Sequence, residues 1–358
     1  MNKKLTDKLR DMSDTNLLLT ITLFVFVIMY LCAVIFLGEG FLKPQTFLNL
    51  FNNNASLIII SCGLSLVMIT GGIDISVGGV MALVCMSCAV NLDLNGGNVF
   101  TSLLIALCIG LAFGIGQGLL IAYLDIQPFI VTLAGMFLAR GLTTIVHTNP
   151  FNVENEQFVH LRETRITVPG LGTVNKHGKY IPAYIEIGVL VAVAVVIILF
   201  AVLRWTKTGR NFYAVGGNPQ SALMLGINVK RTRFISYVIC GLLAGIGGYV
   251  YFMHVGSGSP SHASGAEMNA IASSIIGGTM LSGGVGNIIG TLFGVLSLCT
   301  IKDIVSSIGL DDAWWTGITI ALMLCIFLVI QSVIMVNKHS NKPSADSTDE
   351  KTAKKSAG

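Results

Sequence analysis

Charged residues are scarce in this 358-residue chain: Asp, Glu, Lys and Arg make up 11% of it, whereas hydrophobic residues make up 53%. Soluble globular proteins carry about 25% charged residues, so this composition excludes an ordinary soluble fold. Glycine, by contrast, is plentiful at 40 residues, as is usual in helices that pack closely in lipid. The composition therefore predicts an all-α, polytopic membrane protein.

The chain also lacks the common motifs of enzymes and metal sites. It contains no G-x-x-x-x-G-K-[ST] phosphate loop, so it does not hydrolyse ATP through that motif. The six histidines show neither HxxxH nor HExxH spacing. All eight cysteines lie in apolar runs, which indicates no disulfide framework, and the CxxC of Cys85 and Cys88 has no second ligand pair nearby. We therefore expect no catalytic residue, metal, cofactor or nucleic-acid partner.

Ten apolar segments are candidates for membrane spans. Three of them, Ser56–Thr70, Val77–Val90 and Ala270–Leu281, fall short of the roughly 20 residues that a spanning helix needs. Glycine-rich breaks at Gly71–Gly79 and Gly277–Gly284 adjoin these short segments, and the helices either continue through the breaks or stop inside the membrane. The other seven segments are Leu17–Leu37, Phe100–Leu124, Phe129–Thr148, Ala183–Leu203, Phe234–Met253, Ile288–Ile308 and Ala313–Val336.

The Lys and Arg residues outside these segments are divided unevenly between the two sides of the membrane. If the spans alternate from a cytoplasmic N-terminus, fifteen of them fall on the cytoplasmic side and five on the outer side, as the positive-inside rule requires. Both termini are then cytoplasmic. The predicted organisation is an N-terminal segment (1–16), a transmembrane domain (17–336) with an outer loop (149–182) and a cytoplasmic loop (204–233), and a disordered polar tail (337–358).

The cytoplasmic loop Arg204–Arg233 contains the signals of a short helix. Asn218 is a good N-cap, Pro219 suits the first helical position, and Gly226 suits the left-handed position that ends a helix. A helix of two turns is unstable alone in water, so it must dock against something. The alternative is a surface loop that holds one turn of helix.

The two glycine-rich breaks resemble each other in sequence. Broken helices at matching places in two halves often flank the substrate path of a transporter; the alternative is close packing of small residues. Asp74 is an acid in an uncharged stretch of more than thirty residues. Either Asp74 or Ser76 caps the following helix, or Asp74 faces a cavity or carries an ion. The candidate residues for the path or break are Gly72, Asp74, Ser76, Gly78, Gly278, Ser282 and Gly284.

Several motifs in order along the chain resemble those of one family. They are TGGIDISVG at Thr70–Gly78, PFIVTLAGM at Pro128–Met136, AVGGNP at Ala214–Pro219, GINV at Gly226–Val229 and IGGTMLSGGVG at Ile276–Gly286. The chain is thereby identified, over about residues 15 to 335, as similar to the membrane permeases of ribose- and galactose-type bacterial ABC sugar importers. In detail it most resembles the galactofuranose-type branch.

The resemblance implies a function and a set of partners. Such a permease lies in the bacterial inner membrane and moves a monosaccharide inward with ATP hydrolysed by two ATP-binding subunits, or by a fused pair of ATPase domains. A second permease subunit, identical or different, completes the path, and a periplasmic or lipid-tethered binding protein delivers the sugar. The short cytoplasmic helix would then dock into an ATPase groove, through Gly217, Asn218, Pro219, Ala222, Leu223, Leu225 and Gly226.

Three rival functions remain open on the sequence. They are an ABC permease for branched-chain amino acids, a secondary carrier that uses an ion gradient through Asp74, and an integral-membrane enzyme, for which no catalytic constellation is visible.

Overall fold

The computed structural model describes residues 14–174, 180–309 and 313–340. Of the predicted terminal segments, residues 1–13 and 341–358 lie outside this part of the chain. The tail predicted to be disordered from residue 337 begins in a helix, which extends to Ser340. This correction has a local cause: Asn337–Ser340 contain neither Gly nor Pro, the residues that most readily end a helix.

The first half of the chain is helical. Its helices are α1 (Asp14–Leu37), α2 (Glu39–Leu42), α3 (Pro44–Asn52), α4 (Ala55–Ile69), α5 (Val77–Asp93), α6 (Val99–Ala122) and α7 (Pro128–Val146). The seven residues between α4 and α5 are not helical. The first glycine-rich break is therefore a true stop, and the alternative of a continuous helix is wrong there.

The predicted outer loop has regular structure of its own, which the sequence did not reveal. It contains β1 (Phe151–Asn152), α8 (Glu156–Glu163), β2 (Arg165–Val174) and β3 (Tyr180–Glu186). Strands β2 and β3 form an antiparallel hairpin in which Arg165 is opposite Glu186. Strand β3 takes up Ala183–Glu186, so the predicted span Ala183–Leu203 begins four residues later. The Tyr184 carbonyl accepts hydrogen bonds from Gln45 and Asn52, which pin the hairpin to α3.

The second half continues with α9 (Ile187–Trp205), α10 (Lys207–Gly217), α11 (Pro219–Met224), α12 (Val229–Val255), β4 (Ser257–Gly258), α13 (Ala266–Ile276), α14 (Ile288–Ser307) and α15 (Ala313–Ser340). Strand β4 pairs with β1. The second glycine-rich break, residues 277–287, is also non-helical.

Within the described residues, six helices are long and apolar enough to cross a membrane, and a seventh span results if the bent pair α3–α4 counts as one. Apolar helices at Val77–Asp93 and Trp314–Ile330 are shorter. The predicted span Ala270–Leu281 is helical only as part of α13, which has 11 residues and a length of roughly 16 Å. That length is about half of a hydrocarbon core, so α13 does not cross the membrane alone.

Helix α12 is the central packing element. It contacts α4, α5 and α6, and small residues permit the closest of these approaches. A Cβ atom on Gly114 of α6 would lie 3.1 Å from the Gly241 Cα of α12. This small-residue packing is typical of helices in lipid, where van der Waals contact replaces the hydrophobic effect as the force between helices. The surrounding core joins α4, α9, α12, α13 and α14.

Candidate functional site

Helix α11, the short helix of the loop predicted to be cytoplasmic, has the ends that its sequence predicts. The Asn218 side chain accepts a hydrogen bond from the Ser221 amide at 2.9 Å, and Pro219 occupies the first helical position of α11. Gly226, just beyond the helix, has a φ of +80°, the left-handed region in which glycine is unstrained. These local rules determine where α11 begins and ends.

The exposed face of α11 differs from the predicted one. Ala222 is 1% exposed and is packed inside the chain, so its assignment to a docking surface is wrong. The reason is geometric: in so short a helix, one residue must face the protein, and Ala222 is that residue. Leu223, Met224 and Leu225 are 65%, 89% and 79% exposed. Met224, the most exposed of the three, was not among the predicted residues.

Helix α10 connects α11 to the membrane part of the protein. Its Phe212 and Val215 are fully buried, and the Tyr213 hydroxyl donates to the Gly286 carbonyl at 2.8 Å. Helix α10 was not predicted as a separate helix from the sequence. Its signal is the amphipathic spacing of Phe212 and Val215, three residues apart on one face.

The two glycine-rich breaks and the end of α10 meet at one place, which we call the glycine junction (Gly71, Gly216, Gly283 and Gly284). The Gly284 amide donates to the Ile69 carbonyl at 2.9 Å. A Cβ atom on Gly283 would lie 2.8 Å from the Gly216 oxygen and 3.0 Å from the Gly71 Cα. The three segments meet through backbone atoms at this junction. Glycine permits this contact, because any larger residue would hold the segments apart.

Asp74 lies in the first break, where it is 1% exposed. Its Oδ1 accepts hydrogen bonds from the Ser76 amide at 2.9 Å and from the Ser76 hydroxyl at 2.6 Å. Ser76 occupies the N-cap position of α5, but its side chain makes no capping bond. The expected direct cap is therefore wrong: Asp74 lies two residues before the N-cap and reaches Ser76 rather than the first turn of α5.

The other predicted path residues are only partly brought together. Gly72 lies against the Tyr237 hydroxyl, and Gly278 lies against Leu18. Ser282 is exposed beside the glycine junction. Gly78, the second residue of α5, lies instead against the carboxylate of Glu267.

Three further polar side chains lie inside the helical bundle. The guanidinium of Arg140 in α7 donates to the carbonyls of Pro260, His262 and Ala263. Glu267 and Gln117 were not predicted, and both are buried. Glu267 is an acid next to an apolar run, but nothing in its local sequence places it against α5.

Comparison with known proteins identifies the family. A profile described as "Branched-chain amino acid transport system / permease component" matches residues 46–328. The inner membrane ABC transporter permease protein YjfF of Escherichia coli K12 is 36% identical over 334 residues, which are 92% of this chain and 97% of that protein.

Two further relatives carry a sugar in their names. The fructose import permease protein FruG of Bifidobacterium longum is 34% identical, over 87% of this chain and 89% of its own. The ribose import permease protein RbsC of Bacillus subtilis is 33% identical, over 81% of this chain and 84% of its own. No solved structure matches the chain. The chain therefore belongs to the family of ribose- and galactose-type ABC-importer permeases, as a multi-pass protein of the bacterial inner membrane.

Proposed function

We propose that this permease carries a monosaccharide inward and that helix α11 couples it to a separate ATPase. The sugar is supported by the relatives, whose names specify fructose, ribose and galactose or methyl galactoside import. The ATPase is supported by their membership of ABC systems and by the absence of a phosphate loop in this chain. Such an assembly also requires a binding protein on the outer side and a second permease subunit, either a copy of this chain or a different one.

A branched-chain amino acid is the second candidate substrate, because the matching family profile carries that description. Sequence similarity favours a sugar, since the fructose import permease is 34% identical over 87% of this chain. The galactofuranose-type resemblance stays a prediction. Uptake of labelled D-ribose, D-fructose, D-galactose, galactofuranose and L-leucine, in cells that lack their own importers and express the complete system, decides between these substrates. Uptake of leucine alone would contradict the proposal.

The observation that carries the coupling proposal is the row of exposed apolar side chains Leu223, Met224 and Leu225 on the cytoplasmic loop. Exposed apolar side chains without a core of their own suit a groove on another protein. Ala222 anchors the same helix to the permease, so a partner that grips the row also holds the permease. The predicted coupling residues Gly217, Asn218, Pro219 and Gly226 then shape the helix rather than contact the ATPase.

The route from α11 into the membrane part runs through α10 and the glycine junction. Closure of the ATPase would displace α11 and, with it, the buried face of α10. Since Gly216 touches the Ile69 backbone at the end of α4 and the Gly284 backbone of the second break, that displacement would move the end of α4 together with the segment between α13 and α14. This is alternating access driven from the cytoplasmic side.

We expect Leu223→Asp to weaken ATPase binding by about tenfold or more, which corresponds to about 1.4 kcal/mol. A charge at an apolar anchor must be desolvated when the helix docks, and little in the permease itself contacts this side chain. The measurements are co-purification of the ATPase and sugar-stimulated ATP hydrolysis in vesicles. Leu171→Asp, the same change at an exposed leucine of the outer hairpin, is the control. If both variants retain the ATPase and its stimulation, α11 is an ordinary surface helix.

A further inference from the structure

Glu267, in the first turn of α13, is the least satisfied carboxylate in the described interior. Its side chain is 8% exposed, and its fully buried Oε2 has no hydrogen-bond partner in the described part of the chain. The same oxygen lies directly against Gly78 of α5, where even a methyl group would overlap it. A buried acid without a partner is costly in a membrane protein and usually serves a function there.

The loop before α13 is held in place so that Glu267 points at α5. Gly258 at its start lies against Ala89, and Ala263 lies against Gly78, so the loop runs roughly 16 Å along α5. Ala263 has a φ of +53°, a left-handed conformation that is strained for a residue with a Cβ. Arg140 donates to the Ala263 carbonyl at 2.8 Å and to the His262 carbonyl at 2.6 Å. Strain that is maintained in this way is typical of functional sites.

A partly polar cavity lies beside the start of α13 and the loop before it. Its volume is about 320 Å³, and its lining includes Asn53, Asn54, Ser261, Asn269 and Lys302. Amide, hydroxyl and ammonium groups of this kind exchange hydrogen bonds with the hydroxyls of a sugar, and the volume lies in the range of small-molecule sites. Ala263 and Ala266 also line the cavity; Glu267 does not line it, but it follows Ala266 directly in α13.

We propose that the Glu267 carboxylate accepts a hydrogen bond from a hydroxyl group of the sugar as the sugar passes from this cavity between α5 and α13. The inference rests on the proposed function of sugar import. A metal ion fits the site less well, because the described residues hold no group of three His, Cys, Asp or Glu side chains and the Arg140 guanidinium lies close by. A neutral molecule with hydroxyl groups would donate the hydrogen bond that Oε2 lacks without bringing a second charge.

The lack of a side chain at Gly78 would let the sugar reach the Glu267 carboxylate. In the present conformation the α5 backbone covers Oε2, and Gly78 carries no side chain that would remain in the way when the helices part. The α5 helix begins directly after the first break and the glycine junction, so movement there also uncovers Glu267. The site is therefore closed in this conformation and opens when α5 moves relative to α13.

The test uses the complete importer, with its ATPase and binding protein, in vesicles, and D-ribose, D-fructose and D-galactose as probes. Glu267→Gln keeps the size of the side chain but removes the charge from the acceptor. We expect sugar transport to fall about tenfold, the loss of one strong hydrogen bond to a charged group, while stimulation of ATP hydrolysis by the sugar-loaded binding protein stays within about twofold. Glu267→Asp, which keeps the carboxylate, should recover part of the transport.

Glu156→Gln, at an exposed acid of α8, is the matched control and should behave as the parent. Unchanged transport by Glu267→Gln overturns the inference, and so does an equal loss of transport and ATP stimulation in both Glu267 variants, which would indicate a structural role. Failure of the parent to transport any of the three sugars, with leucine transported instead, would refute the proposed function. That result is separate from the comparison of variants.

Discussion

At the scale of single residues, Asp74 shows how a buried acid in a membrane protein is satisfied locally. Its Oδ1 accepts two hydrogen bonds from Ser76, and the Cys240 thiol also donates to its carboxylate. An asparagine oxygen can accept the two Ser76 bonds. We therefore expect Asp74→Asn to retain transport within about twofold. Asp74→Ala removes the acceptor of the buried Ser76 amide and leaves the Ser76 hydroxyl only Gln117 Oε1, at a cost of about 1–3 kcal/mol. Sugar uptake and the thermal unfolding temperature of the purified complex measure the two effects. Complete loss of uptake in a stable Asn variant would instead indicate that the charge itself is used, as in an ion-coupled carrier.

The contrast between Asp74 and Glu267 shows what single residues reveal in a sequence. Asp74 stands alone in a long uncharged stretch, so its importance is visible without a structure. Glu267 follows Ser264 and Gly265, and its burial depends on a loop that folds along α5, which lies far earlier in the chain. That contact between distant segments leaves no local signature.

At the scale of elements, the glycine junction permits a matched pair of substitutions in adjacent residues of α10. A Cβ atom on Gly216 would overlap the Ile69 carbonyl and lie 2.6 Å from the Gly284 nitrogen, whereas one on Gly217 would meet nothing within 4 Å. Both clashing atoms are backbone, which cannot rotate away. We expect Gly216→Ala to destabilise the protein by about 1–3 kcal/mol and to reduce sugar-stimulated ATP hydrolysis, and Gly217→Ala to match the parent.

Thermal unfolding and ATP hydrolysis in vesicles measure both variants. Equal behaviour of the two alanine variants would mean that the junction tolerates separation and does not transmit movement.

The elements also show which features local rules determine. The ends of α11 follow from Asn218, Pro219 and Gly226, and they are confirmed. Which of its faces is buried depends on α10 and α12, which lie outside the helix, so Ala222 was misassigned and Met224 was missed. The β2–β3 hairpin was likewise missed, because its sequence, which includes Pro169 and Gly170, indicates an irregular loop.

At the scale of the whole molecule, the orientation in the membrane rests on the charge distribution. With fifteen Lys and Arg residues assigned to one side and five to the other, we expect the face that carries α11 to be cytoplasmic. In a cysteine-free background, a cysteine at Tyr180, half exposed on the outer hairpin, should react with an impermeant maleimide in intact cells. A cysteine at Gln220 should react only after permeabilisation. Labelling of Gln220 from outside would invert the orientation and contradict the coupling proposal.

Composition predicted the class of the protein, and hydropathy found most of its helices. Hydropathy did not predict the number of complete spans, since the apolar run Ala270–Leu281 is helical only as far as Ile276 and belongs to the half-length helix α13. Hydropathy measures how well a segment suits an apolar environment, either lipid or the protein interior. It does not distinguish a segment that crosses the bilayer from one that is enclosed by other helices.

The glycine junction has a consequence for how such importers diversify. A contact made by backbone atoms alone places no demand on side-chain identity beyond the glycines themselves. The outward row of α11, by contrast, touches little in its own chain. If the proposed coupling holds, substitutions in the row would change which ATPase subunit is recognised without disturbing the fold of the permease, whereas substitutions of the buried junction glycines would separate the segments that meet there. The exposed row and the glycine junction are thus subject to different constraints and can evolve at different rates.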